Sequence, residues 1–198
     1  MTLLQQSLRT VGLIETLADN TIEMRRSKVY PNLILFTYDQ FNADMSNKIV
    51  QESRGIILDE ANNWEIVSRS FDKFFNFGEI HCAPIDYASA TFFKKEDGSM
   101  ISLYFYDNKW NVATTGSPDA GGNMGVTEKT FAEMFWKVFE EVGGDISNLD
   151  INNTYIFELC TPYNKVVVNH KHNRLALFAC RSKITGNYQP MVNGIAGK

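Results

Sequence analysis

The sequence predicts an α+β protein whose sheets are mainly antiparallel, with one prominent packed helix. Three observations lead there. Short β-rich runs follow one another between Leu33 and Phe105, parted by turns containing Asn, Asp and Gly. One later stretch repeats its apolar residues at three- and four-residue steps. The chain has 198 residues with 44% hydrophobic and 13% aromatic content, enough for one sizeable core. Charged residues at 21% and only five prolines argue against disorder.

Leu3, Leu4, Leu8, Val11 and Leu17 read as one imperfect helix, weakened by Gly12. Strands are expected over 33–36, 55–58, 65–68 and 102–105, with residues 59–63 as a turn. Phe92-Phe93 adds a strand-like run. Residues 106–110 look like a hairpin turn whose second strand ends at Thr114. Phe131, Met134, Phe135, Val138, Phe139 and Val142 form one apolar stripe, a helix packed on a sheet. Thr127 is its expected N-cap and Gly143-Gly144 its stop. A strand over 154–159 leads through Pro162 to another over 165–168, and 175–180 is the last. No internal repeat or linker interrupts the chain. The tail from Met191 to Lys198 has no periodicity and is expected to fray.

Net charge is −4, with no basic block, so a nucleic-acid partner would have to be held by a local cluster of Lys and Arg. Cys82, Cys160 and Cys180 are an odd number without CxxC spacing, which suits a reducing compartment. The start, MTLLQQSLRT, lacks the basic and apolar regions of a signal peptide. No stretch approaches 18 apolar residues. A cytosolic protein without a membrane partner is the expectation.

Two weaker features read as loops. Residues 116–125 are glycine-rich between a strand and a helix, but lack the GK[ST] ending of a P-loop and GxGxxG spacing. A mobile surface loop is expected there. His170 and His172 would share a strand face, an arrangement able to hold a metal, yet only Cys180 or His81 could join them. A polar turn is preferred.

The chemistry-bearing stretch is Lys95-Glu96-Asp97-Gly98-Ser99, between two strand-like runs. Alone, KxDG also fits an exposed hairpin turn. Its neighbours weigh against that. Upstream lie Glu52-Ser53-Arg54-Gly55-Ile56 and Ser68-Arg69-Ser70-Phe71-Asp72-Lys73-Phe74-Phe75-Asn76. Downstream lie Tyr155-Ile156-Phe157-Glu158-Leu159 and Leu177-Phe178-Ala179-Cys180-Arg181. This ordered set resembles the covalent nucleotidyltransferase superfamily of ligases and capping enzymes. In detail it is similar to RNA ligase family 1, the tailed-phage type, over about residues 30 to 188.

The resemblance implies that residues 1–198 are a single adenylation domain of nucleotidyltransferase, ATP-grasp-like ligase fold. It implies ATP and Mg²⁺ as cofactors, and RNA ends bearing a 5′-phosphate and a 3′-hydroxyl as partners. Lys95 would attack the α-phosphate of ATP to give lysyl-AMP. A free lysine has a pKa near ~10.4, so cations beside it are needed to raise its reactive fraction. Glu158 would bind the ribose hydroxyls. Arg54, Lys73 and Phe75 match positions needed for activity, with Asp97 and Gly98 also at the nucleotide. Gly98 would let the backbone approach it closely. Phe178 flanks the adenine strand, though alternation favours sending it to the core. Lys95 should open a hairpin strand and meet Arg54, Lys73 and Glu158 within about 10 Å.

Two departures stand out. Thr115, in Thr114-Thr115-Gly116-Ser117, replaces a lysine of the family. A metal-binding acid and a later lysine pair belong beyond the second half of the chain, and nothing after Tyr188 matches them. The expectation is therefore a domain truncated at its C-terminus and impaired alone, unless a C-terminal fragment or a second chain completes it. The alternative is a non-catalytic nucleotide- or RNA-end-binding remnant. A DNA ligase or capping enzyme is set aside by the Lys73-Phe74-Phe75-Asn76 stretch and the absence of an OB-fold.

Overall fold

Two antiparallel sheets lie face to face in the computed structural model, which describes residues 1–190. The chain begins with α1 (Leu3–Thr10) and α2 (Leu13–Asn20), then β1 (Ile22–Arg26), β2 (Leu33–Tyr38), α3 (Lys48–Glu52), β3 (Ile56–Asp59) and β4 (Glu65–Ser68). An irregular stretch leads to β5 (Ser99–Tyr106) and β6 (Lys109–Thr114), then α4 (Phe131–Glu141), β7 (Asn153–Cys160), β8 (Arg174–Ser182) and β9 (Tyr188–Gln189). The first sheet runs β1-β2-β3-β4 and the second β6-β5-β7-β8-β9.

Three apolar clusters glue the layers together. Leu4, Leu8 and Val50 pack the first three helices onto the outer face of the first sheet, against Ile34, Phe36, Ile56 and Leu58. Leu33, Leu35, Ile57 and Val67 meet Tyr104 and Ala113 between the sheets. Met134, Phe135, Val138 and Phe139 of α4 cover Ile101, Leu103, Tyr155, Phe157 and Leu159 on the outer face of the second. The class is α+β, as the short β-rich runs and the helical stripe implied. The stripe falls where expected, on a helix laid over a sheet.

Several elements differ from the expectations. The N-terminal helix is two, broken at Gly12, whose φ of +96° leaves the helical region. Thr130, not Thr127, caps α4, because its hydroxyl reaches the Glu133 N–H while Glu133 returns to the Thr130 N–H. No strand forms over 165–168. The Val167 and Val168 N–H groups are taken by the Asp97 carboxylate, so these β-branched residues stand exposed in a loop. His170 lies in that loop, not on a strand. Phe92 and Phe93 are 90% and 86% exposed and belong to no strand.

The 116–125 loop is anchored, contrary to its composition. Ala120 and Met124 are buried in the α4 core, and Asp119 accepts from the Ser27 hydroxyl and the Lys28 N–H. β1 escaped notice because only Ile22 of that edge strand is buried, so it shows no alternation. The expected fraying of Met191 to Lys198 lies outside the described residues. Among the described residues no helix is long and apolar enough to cross a membrane.

Candidate active site

The inner face of the second sheet carries the site. Pairing aligns Met100 with Glu158 and Ala176, then Ser102 with Ile156 and Ala179, then Thr154 with Arg181. Tyr104 shares this face further along β5, under the first sheet. The Met100–Glu158–Ala176 row therefore lies toward the end of the inter-sheet space where β5 begins.

A bulge in β8 shapes the face. Ile156 opposes Ala179 and Phe157 opposes Leu177, which leaves Phe178 as the extra residue. Leu177 and Cys180 keep the α4 side. Phe178 is half-buried and belongs to none of the three apolar clusters, so the expected core position is not where it goes. Alternation fails here because one inserted residue resets the phase.

The Lys95–Gly98 segment is fixed at every residue but the lysine. Glu96 is buried and receives both Nη groups of Arg174, with the Lys94 amine 3.2 Å away. The Arg174 bonds hold its carboxyl below the ordinary glutamate range. Asp97 accepts from the Val167 and Val168 N–H groups at 2.9 and 2.6 Å, and the His170 ring lies 2.5 Å from the Asp97 carbonyl. Asp97 thus pins the 165–170 loop to the segment. At Gly98 a Cβ would come within 2.3 Å of the Leu159 carbonyl oxygen, so the close approach to β7 requires glycine.

Lys95 itself is exposed, four residues before β5 rather than on it. Burial raises the Glu158 carboxyl above its ordinary value, opposed by a bond from the Gly98 N–H and by the charge of Lys95. The lysine and the half-buried carboxylate therefore share one electrostatic neighbourhood.

Arg54 sits in a second group. Its guanidinium carbon is 4.6 Å from the Phe74 ring centroid, and its Nη1 is buried without a partner. Gly55 beside it has φ +82° and presses on the Thr115 backbone, placing that departure from the family pattern next to Arg54. Arg181 donates to the Ser70 carbonyl and to both Asp72 oxygens, and Arg69 reaches Asp72 at 3.4 Å. The Arg69 Nε is buried and unpartnered. Burial raises the Tyr188 hydroxyl, while the charges of Arg181, Arg69 and Arg54 act against it, and the Arg181 guanidinium lies 5.3 Å from the ring centroid. The Ser70 hydroxyl lies 3.7 Å from the Met100 sulfur and joins the group to the Glu158 row. Arg69 and Arg181 were absent from the expected site. Their only trace in the sequence is their place inside the matched stretches.

Lys73 and Phe75 line a groove together with Phe74, the ring that Arg54 covers. The Lys73 amine is 5.1 Å from the Phe75 ring centroid, and Phe75 packs on His81 at 5.3 Å. Among the described residues no hydrogen bond, ion pair or ring contact joins them to Lys95 or Glu158. Of the four residues expected to converge, Lys95 and Glu158 are linked by charge, while Phe74 links Arg54 to the groove that holds Lys73.

This frame of an exposed lysine near a half-buried acid, with surplus guanidinium charge nearby, fits a protein that handles phosphates. Residues 52–193 match the family described as RNA ligase, and the chain belongs to it. It is 30% identical over 195 residues to a protein of Autographa californica nuclear polyhedrosis virus described as a bifunctional polynucleotide kinase/RNA ligase. That match covers 89% of this chain and 28% of the viral protein. It is also 32% identical over 160 residues to an RNA ligase of Rhodothermus phage RM378, covering 65% of this chain and 36% of the phage protein. The chain therefore spans about a third of the length of these two relatives.

Proposed function

We propose that residues 1–198 form a single adenylation domain of nucleotidyltransferase fold, in which Lys95 becomes covalently linked to AMP. The observation that carries this is an exposed Lys95, four residues before β5, whose charge acts on the half-buried Glu158 of β7. The Lys95 amine would attack the α-phosphorus of ATP, forming a P–N bond as the P–O bond to pyrophosphate breaks and the amine loses a proton. Glu158, an acceptor with free lone pairs, would take hydrogen bonds from the ribose hydroxyls. The buried, unpartnered Nη1 of Arg54 supports a phosphate contact by that residue.

Magnesium belongs here as part of the Mg·ATP substrate. Glu96 and Asp97 are already bound by protein groups, Glu158 accepts from Gly98, and among the described residues no three His, Cys, Asp or Glu converge. The donor set does not fit a protein-held ion, so any such ion would rest mainly on the phosphates. The AMP would then pass to an RNA 5′-phosphate and be displaced by a 3′-hydroxyl, as the family suggests. The free Cys82, Cys160 and Cys180 are in keeping with work in a reducing cytoplasm.

The test is intact mass after incubation with ATP and magnesium. A gain of one AMP, labile to acid, supports the reading. ATP binding without that gain would favour a non-catalytic binding module instead.

A further inference from the structure

The stretch from β7 to β8 grips the residues that follow Lys95. Arg174 takes Glu96, and the Asn164 amide donates to the Ser99 hydroxyl at 2.9 Å and to the Leu159 carbonyl at 2.6 Å. Between them, the 165–170 loop holds Asp97 twice. The Asp97 carboxylate accepts from the Val167 and Val168 N–H groups, and its backbone carbonyl meets Nε2 of the half-buried His170. A carbonyl oxygen only accepts, so Nε2 carries the hydrogen and donates it.

The second of these holds reaches Glu158. The Asp97 carbonyl and the Gly98 N–H are the two ends of one peptide unit, and that N–H donates to the Glu158 carboxylate. No peptide among the described residues is cis, so the two ends point to opposite sides. His170 and Glu158 therefore hold one plane from opposite edges, and the plane cannot turn without breaking one of the two bonds. A donor on the carbonyl also polarises the amide and strengthens the bond that its N–H gives. The restraint falls where it is most needed, because glycine has the least conformational restraint of its own. We propose that His170 is a positioning residue, which fixes the Asp97–Gly98 peptide and through it the Glu158 carboxylate. The hold on the peptide stands on geometry alone, and its effect on nucleotide binding rests on the reading of Glu158 as the acceptor for the ribose.

The experiment compares binding of ATP and of 2′-deoxy-ATP by calorimetry in EDTA, where metal-dependent transfer does not intervene. The parent should prefer ATP, because 2′-deoxy-ATP lacks one hydroxyl that Glu158 would accept. His170→Phe keeps a ring and removes the donor, and should lower that preference about two- to tenfold, the range for one hydrogen bond. His170→Gln, whose amide nitrogen can stand where Nε2 stands, should restore most of it. Hydrogen exchange on the ligand-free protein reads the hold without any nucleotide. The Gly98 amide should exchange faster in His170→Phe by a similar factor, and near the parent rate in His170→Gln. If the parent binds both nucleotides alike while Gly98 exchange responds in this way, the hold on the peptide stands and the ribose role of Glu158 falls. Where the parent does prefer ATP, an equal loss for both nucleotides in His170→Phe overturns the proposal, since His170 would then merely brace the loop. It is equally overturned if Gly98 exchanges at the parent rate in His170→Phe, or if His170→Gln loses as much as His170→Phe.

Discussion

At the scale of single residues, Lys95 and Glu158 carry opposite kinds of constraint. Lys95 is exposed and its removal should barely touch stability, so its effect is chemical. Lys95→Ala and Lys95→Arg should both abolish the AMP adduct, because a guanidinium stays protonated. An adduct surviving in both would move the nucleophile elsewhere. For Glu158, burial outweighs the Gly98 bond and the Lys95 charge that oppose it. Its folded-state pKa lies above the unfolded value, so the stability it contributes is present below the ordinary glutamate range and lost as pH rises through the folded value. Glu158→Gln should therefore stabilise the ligand-free protein near neutral pH, while removing an acceptor for the ribose. Urea denaturation should show the gain at about pH 7 and its disappearance at about pH 4. An equal gain at both would mean the amide packs better for reasons unrelated to charge.

At the scale of elements, the approach to β5 is set by one ion pair. Glu96 is nearly buried, and Arg174 at the start of β8 binds both of its oxygens. Charged hydrogen bonds of this kind contribute about 1.5–3 kcal/mol when sheltered. The Arg174 side chain is 44% exposed, which places the expected loss for Arg174→Met nearer about 1–2 kcal/mol. Here the carboxyl lies below its ordinary value, so the stability is present above the unfolded pKa and fades as pH falls. The gap between parent and variant in thermal melts should shrink in acid. A constant gap would assign the loss to packing of the Arg174 stem. The backbone that carries Lys95 should also loosen, and adenylylation should slow with it.

At the scale of the molecule, the inter-sheet core lies behind the site. Tyr104 fills it, bonds the Pro118 carbonyl at 3.0 Å, and shares a face of β5 with Met100 and Ser102. Phe135 occupies the other core, under α4. Each truncation to Ala should cost about 3–5 kcal/mol by denaturant unfolding. Only Tyr104→Ala should also weaken ATP binding by calorimetry, since it loosens the sheet-to-sheet spacing at the Glu158 row. Equal ATP affinity in the two variants would show that the first sheet does not position the nucleotide.

The sequence by itself determined the strands over 33–36, 55–58 (from Ile56 in the structure), 65–68, 102–105 and 154–159, as short β-rich runs between turns, and the stripe of α4, which buries one side at the helical period. It also supplied the family, through stretches whose residue types answer to phosphate chemistry. It could not reveal β1, whose single buried residue leaves no period, nor the loop at 165–168, where Asp97 outcompetes a strand partner for two N–H groups. Nor could it place Phe178, displaced by a bulge that exists only once β7 and β8 pair. The division of the expected site was likewise a tertiary outcome. The charge of Lys95 reaches Glu158 because Gly98 allows the approach to β5 to press on β7, while the coil after β4 carries Lys73 and Phe75 into a groove beside Phe74, the ring that Arg54 covers. Periodicity records which side of an element is buried; which buried sides face one another is settled only when the sheets stack.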